Sequence, residues 1–265
     1  MTSSPLGEML PRAETIAWPR VPAWSAGAVA ARRALKSFAI VRAHRTEGRR
    51  ERSAEPAPER ARVFALSRLF AEVCAAHDWR VRVSGPIPAG PVVLVANHVS
   101  YLDPLVLVGL VPALPVSKSE ISRWPLIGAV ARRHGVLFVE RGDPRSGVRV
   151  LRSARRALAS GVSVLNFPEG TTSNGEQVLP FRRGIFGLAR HAHVPVVPIA
   201  LRFDDADLAW FGDAFFLPHY TRLLRRRDTV VRVRFGGPLT PERYGGAADL
   251  ADEARAQVEH MLRAD

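Results

Sequence analysis

His98 and Asp103 stand five positions apart in Asn97-His98-Val99-Ser100-Tyr101-Leu102-Asp103, directly after an apolar run from Pro91 to Ala96. Histidine ionises near neutrality, and a neighbouring carboxylate can fix its tautomer and stabilise the imidazolium formed when it takes a proton. The pair is therefore a candidate base with its orienting partner. On one continuous helix, residues five apart lie about 140° around the axis and do not meet. The chemistry thus requires a strand, a bend at His98 and then a helix. Ser100 and Asp103 fit an S-x-x-D capping box for that helix, with Pro104 tolerated in its first turn. Alone, the heptapeptide reads better as a capped helix with His98 in a loop, and its surroundings decide the matter.

The run 91–96 predicts a strand buried on both faces. Before it, residues 61–77 have the apolar spacing of an amphipathic helix, and Trp79-Arg80-Val81-Arg82-Val83 alternates like a strand with one polar face. After it come a short strand over 115–119 carrying Lys118, a helix over 123–134 and a strand over 135–141. Asp143-Pro144 opens a helix as N-cap and first helical residue. Arg145, Arg149, Arg152 and Arg156 step along one face of that helix, opposite Val148, Leu151, Ala154 and Leu158. Further on, 162–167 predicts a strand, 168–175 a glycine-bearing loop, 184–193 a helix and 194–201 a strand. Residues 203–227 show no clear period, 229–235 alternates as a strand, and 247–263 closes the chain as a helix. This alternation predicts an α/β fold with a mostly parallel central sheet flanked by helices, preceded by N-terminal helices.

Residues 1–60 divide from 61–265 by composition. The first part comprises a loosely docked arm to about residue 22, a basic amphipathic helix over 24–45 bearing Arg32, Arg33, Lys36 and Arg42, and a linker over 46–60. The chain carries 38 Lys plus Arg against 25 Asp plus Glu, a net charge of +13 over 265 residues. Lys36 and Lys118 are the lysines, so nearly all of that charge is guanidinium, which forks well onto phosphate oxygens. Such a surface suits phosphate, anionic headgroups or nucleic acid, but no nucleic-acid module is recognisable and none is expected as a partner. The single cysteine, Cys74, excludes an internal disulfide and reads as a buried structural thiol. No H-E-x-x-H or G-x-S-x-G occurs, which argues against a zinc hydrolase or a serine hydrolase, and no metal site is assigned. No secretory signal is visible. The longest apolar run, 104–116, falls short of the roughly 20 residues that span a bilayer, so membrane attachment is expected to be peripheral.

Four segments fall at predicted strand ends: 98–103, Glu140-Arg141, Pro168-Glu169-Gly170-Thr171-Thr172 and Pro195-Val196-Val197-Pro198. Parallel strands would set them on one edge of the sheet. In this order they resemble the four motif blocks of the glycerolipid acyltransferases, over a match from about Trp79 to Leu201. The resemblance implies transfer of a fatty acyl group from acyl-CoA or acyl carrier protein to the hydroxyl of a lysolipid, and makes 61–265 the acyltransferase domain. It gives His98 the role of general base and Asp103 that of its support, with no covalent intermediate and no cofactor beyond the thioester co-substrate. Arg141 is the position credited with holding phosphate. Glu169, Gly170 and Thr171 match the third block and are expected to bind acceptor.

The acceptor expected first is 1-acyl-glycerol-3-phosphate. Many phosphatidic-acid-forming members, however, have arginine where this chain has Thr172, which leaves room for lyso-ornithine lipid or another lysolipid. Lys118 and the Arg182-Arg183 pair are the nearest candidates for the missing charge. Membrane lipids are the expected partners, at the cytoplasmic face of a membrane, and the sequence says nothing of oligomeric state.

Overall fold

The computed structural model describes residues 14–16, 26–50, 59–212, 214–226 and 228–264. Eight strands form one sheet in the order β1-β2-β8-β7-β3-β6-β4-β5. They are β1 (Glu14–Ile16), β2 (Arg80–Ser84), β3 (Val93–Ala96), β4 (Ala113–Lys118), β5 (Leu137–Val139), β6 (Ser163–Asn166), β7 (Val196–Phe203) and β8 (Val230–Phe235). From β7 to β5 every neighbouring pair is parallel. β8 runs antiparallel to β7 and parallel to β2.

The helices are α1 (Ala26–Arg50), α2 (Glu59–Ala76), α3 (Asp103–Leu110), α4 (Ile127–Arg133), α5 (Pro144–Ala159), α6 (Gly184–Ala192), α7 (Phe216–Arg225) and α8 (Ala247–Arg263). Two apolar cores lie on the two faces of the sheet. Leu94 and Ala96 of β3 point into the core shared with α2, α3 and α7, while Val93 and Val95 point into that shared with α5, α6 and α8. This two-sided burial is why β3 reads as a continuous apolar run.

Several expected boundaries move, each for a local reason. Within the stretch expected to be a loose arm, Glu14–Ile16 pairs antiparallel with β2 and covers what would otherwise be an open edge. The N-terminal helix continues to Arg50, into the expected linker, of which 51–58 lies outside the described residues. The helix expected over 123–134 is a 3₁₀ turn, Ser119–Arg123, followed by α4. Trp124 precedes Pro125 and is held extended, with ψ at 134°, which stops a helix passing through it. On α5, Val148 is exposed, and Val150, Ala154, Ala157 and Leu158 face the core.

α1 packs against α2, α4 and α7. Its expected basic face is split. Lys36 and Arg42 are exposed, but Arg33 is buried, pairs with Asp78 at 3.1 Å, and donates to the carbonyls of Leu224 and Arg226 at the end of α7. A cation there also suits the negative end of a helix dipole. Cys74 is buried with its thiol 3.7 Å from the Leu105 carbonyl, and burial pushes that thiol up to about 12.

Candidate active site

β3 ends at Ala96, and Asn97 adds one more rung to the sheet with its side chain. Its amide donates to the Leu201 carbonyl at 2.9 Å and accepts from the Leu201 N–H at 2.8 Å. This bonding ties the next residue, His98, to β7. The chain then bends, and Asp103 Oδ2 gathers three donors: His98 Nδ1 at 2.7 Å, Val99 N–H at 2.8 Å and Ser100 N–H at 2.9 Å. Asp103 is wholly buried. With Nδ1 engaged, Nε2 is the nitrogen left to receive a proton.

The expected capping box is only half formed: the Asp103 carboxylate reaches back to the Ser100 N–H, but the Ser100 hydroxyl makes no hydrogen bond. Asp103 is itself the first residue of α3, its neighbour Leu102 is the N-cap, and no side chain caps the helix. The same carboxylate that fits the capping pattern is committed to His98 and the bend.

Further contacts fix the ring and its loop. Phe167, the residue after β6, stacks on the imidazole with centroids 4.1 Å apart and 20° between the planes. The His98 N–H donates to Glu169 Oε1 at 2.8 Å, and Glu169 Oε2 accepts from Leu179 N–H at 3.2 Å. Both carboxylate oxygens of Glu169 are thus turned to backbone amides, away from the cavity beside His98. Glu169, expected to touch acceptor, does not line the cavity and instead holds the backbone of His98. Burial pushes its carboxyl up from 4.5 to about 7, against the opposing pull of those two amides.

His98 opens onto a cavity of about 1050 Å³. That volume is at the top of the roughly 300–1,000 Å³ usual for small-molecule sites. One end is basic. Lys118 at the end of β4, Arg141 just after β5, and Arg182 before α6 all line it. Burial and the neighbouring Arg141 lower the Lys118 ammonium, while burial and Arg182 lower the Arg141 guanidinium. Glu120 opposes both shifts. Arg141 is repelled by Lys118 on one side and Arg182 on the other, so an anion bound among them would relieve that repulsion; Glu140 and Asp143 also line the cavity, Asp143 being committed to the N–H groups of Arg145 and Ser146.

Gly170 has φ of +72° and lies under the Arg182 side chain, whose Cζ would stand 2.7 Å from an added Cβ. Its freedom lets the loop turn and the guanidinium settle against it. Thr171 is exposed and outside the cavity, whereas Thr172 lines it. Arg182 reaches this place because the loop from 168 folds back on itself, Arg182 N–H donating to the Pro168 carbonyl at 2.9 Å.

The other end of the cavity is apolar, walled by Phe38 and Val41 of α1, Leu66 and Leu69 of α2, and Val130 of α4. A third wall comes from the segment after β7, where the Trp210 N–H donates to the Val99 carbonyl at 2.7 Å and Phe216 packs on Tyr101 and Trp124. The sequence gives no periodic signal for that wall.

The first three motif blocks do meet at the carboxyl edge of the parallel strands. The fourth does not. Val196 pairs with Val93 and Ile199 with Ala96, so Pro195 to Pro198 opens β7 at the opposite edge and is buried beside β3. It is the far end of β7, at Phe203, that reaches the site edge.

A family model described as Acyltransferase matches residues 80–202. A lyso-ornithine lipid O-acyltransferase of Pseudomonas aeruginosa is 38% identical over 198 residues, 73% of this chain and 76% of the relative. A 1-acyl-sn-glycerol-3-phosphate acyltransferase of Neisseria meningitidis serogroup B is 35% identical over 143 residues, 53% of this chain and 56% of the relative. The crystal structure of the 1-acyl-sn-glycerophosphate acyltransferase PlsC from Thermotoga maritima shares the fold. Its TM-score is 0.59 at 22% identity, over 87% of this chain and 96% of that one.

Proposed function

The chain belongs to the acyltransferase family, and on that premise we propose that it moves a fatty acyl group from a thioester, on coenzyme A or acyl carrier protein, to the free hydroxyl of a lysolipid. The observation that carries this reading is the His98–Asp103 pair, 2.7 Å apart, at the junction of a basic pocket and a long apolar cavity. The anionic headgroup lies against Lys118, Arg141 and Arg182, and hydrocarbon fills the apolar end. The acceptor hydroxyl then faces His98 Nε2, which takes its proton as the oxygen attacks the thioester carbonyl carbon. Asp103 stabilises the imidazolium. The carbon–sulfur bond breaks, the thiolate leaves, and the proton on His98 returns to sulfur. The reaction balances without metal or cofactor.

Lyso-ornithine lipid is the acceptor we place first. Thr172 stands where many phosphatidic-acid-forming members have arginine, and the lyso-ornithine relative matches over a larger share of both chains. An amino-acid headgroup also carries both charges. Its carboxylate suits the three cations, and its ammonium suits Glu120 beside Lys118 and Arg141. 1-Acyl-glycerol-3-phosphate is the second reading, favoured by Arg182, which restores at the site the cation that Thr172 lacks. We place the enzyme peripherally on the cytoplasmic face of a membrane, where its thioester donors are. Among the described residues no helix is long and apolar enough to cross one.

The test is release of free thiol when purified protein meets acyl-CoA or acyl carrier protein donors with a panel of lysolipid acceptors. Release with lyso-ornithine lipid above that with lysophosphatidate is expected, and no release with any lysolipid overturns the assignment.

A further inference from the structure

The segment between β7 and β8 leaves the sheet at the edge where His98 lies and carries five large apolar side chains, Trp210, Phe211, Phe215, Phe216 and Leu217, within eight residues. Phe216 turns inward, 4.8 Å from the Trp124 ring and stacked on Tyr220. Its neighbours turn outward: Phe215 is 81% exposed, Leu217 67% and Phe211 46%. Side chains of this size left in water forgo the stabilisation that burial would give them.

On the helix packed beside α7, Leu35 and Phe38 are also exposed and stand on the rim of the cavity. Behind the apolar tip, α7 presents Arg222 and Arg225 to solvent, and α1 presents Lys36. Apolar and aromatic residues ahead of a band of cations match the layering of a bilayer with anionic headgroups. The net charge of +13 agrees in sign.

We infer that Phe211, Phe215 and Leu217, with Leu35 and Phe38, form the surface by which this protein enters an anionic bilayer, so that the cavity opens into lipid and an acceptor reaches His98 without crossing water. The inference rests on the lysolipid reading. The partner is the bilayer itself. No spanning helix is needed, because the tip enters only to the depth of the headgroup boundary.

Cosedimentation of the full chain with phosphatidylglycerol–phosphatidylethanolamine vesicles, and with phosphatidylcholine vesicles, tests it. The double substitution Phe215→Ser with Leu217→Ser should lower the partition coefficient about tenfold or more on the anionic vesicles. Thiol release with a monomeric short-chain lysolipid should be unchanged, since neither residue lines the cavity. Arg222→Gln with Arg225→Gln should weaken binding to the anionic vesicles alone, and should reduce its sensitivity to salt. Parental partitioning by the Phe215/Leu217 variant overturns the inference. So does a parent that is dimeric and a variant that is monomeric by sedimentation, which would make the patch a contact between copies. Loss of vesicle binding in a variant whose parent releases no thiol with any lysolipid leaves this surface standing and removes the enzymatic reading.

Discussion

On the polar side of the cavity, His98 is held by a carboxylate, a stacked ring and hydrogen bonds from the segments after β6 and β7. On the apolar side, side chains of α1, α2 and α4 line open space. The polar end places atoms to within a hydrogen bond, whereas the apolar end sets only a volume and a shape. A change at the first should therefore alter rate at fixed chain length. A change at the second should alter chain preference at nearly fixed chemistry.

The largest effect is expected from His98→Ala, which should lower kcat about 10²- to 10⁴-fold while the melting temperature stays near the parent value. Turnover at the parental rate by a folded variant would put the base elsewhere. Asp103→Ala should cost rate and melting temperature together, since the carboxylate also holds the amides of Val99 and Ser100.

Next comes Glu169, where the sign can be worked out. The folded carboxyl stays protonated up to about pH 7, and the unfolded one ionises near 4.5. Its contribution is complete below pH 4.5 and is lost as pH rises through 7, a change of up to roughly 3 kcal/mol. Denaturant unfolding of the parent should show that decline, and Glu169→Gln should flatten it. Identical pH profiles would mean that the buried carboxyl is already ionised in acid.

Smaller again, Arg141→Ala or Arg182→Ala should raise KM for the acceptor roughly tenfold with kcat little changed. An unaltered KM in Arg182→Ala would remove that residue from headgroup binding. At the apolar end Ala131→Leu, which adds bulk to the cavity wall, should shift preference toward shorter acyl chains by a few-fold. If it instead lowered kcat for all chains alike, the two ends would not be separable.

The polar side is the more legible one in the sequence, because most of its parts sit just past strands that the apolar pattern marks. A bend after a buried strand brings His98 and Asp103 together, Arg141 follows β5, and Asp143 caps α5 as expected, accepting from Arg145 N–H at 2.9 Å and Ser146 N–H at 3.0 Å. Sequence and structure part where one pattern serves two purposes. Ser100 and Asp103 fit a helix cap, but the same carboxylate oxygen that takes the Ser100 N–H also takes the imidazole. Pro195 to Pro198 marks the end of a strand without showing which end.

Contacts made by folding back, such as Arg182 over Gly170, have no spacing to read. The same holds for residues 204–229, whose aromatics lack a period because each packs on a different neighbour: Trp210 on Tyr101, Phe216 on Trp124 and Tyr220. A dense group of aromatics without period was the available signal.

The His98 loop is gripped on both sides. Ser173 N–H donates to the His98 carbonyl at 2.9 Å from the β6 side, and Trp210 N–H to the Val99 carbonyl at 2.7 Å from the β7 side. The two donors belong to separate connections of the fold, β6 to β7 and β7 to β8, so the loop backbone cannot shift without disturbing one of them. The loop's entropy is surrendered once, when the chain folds, and under the proposed mechanism the hydroxyl would meet an imidazole already aimed.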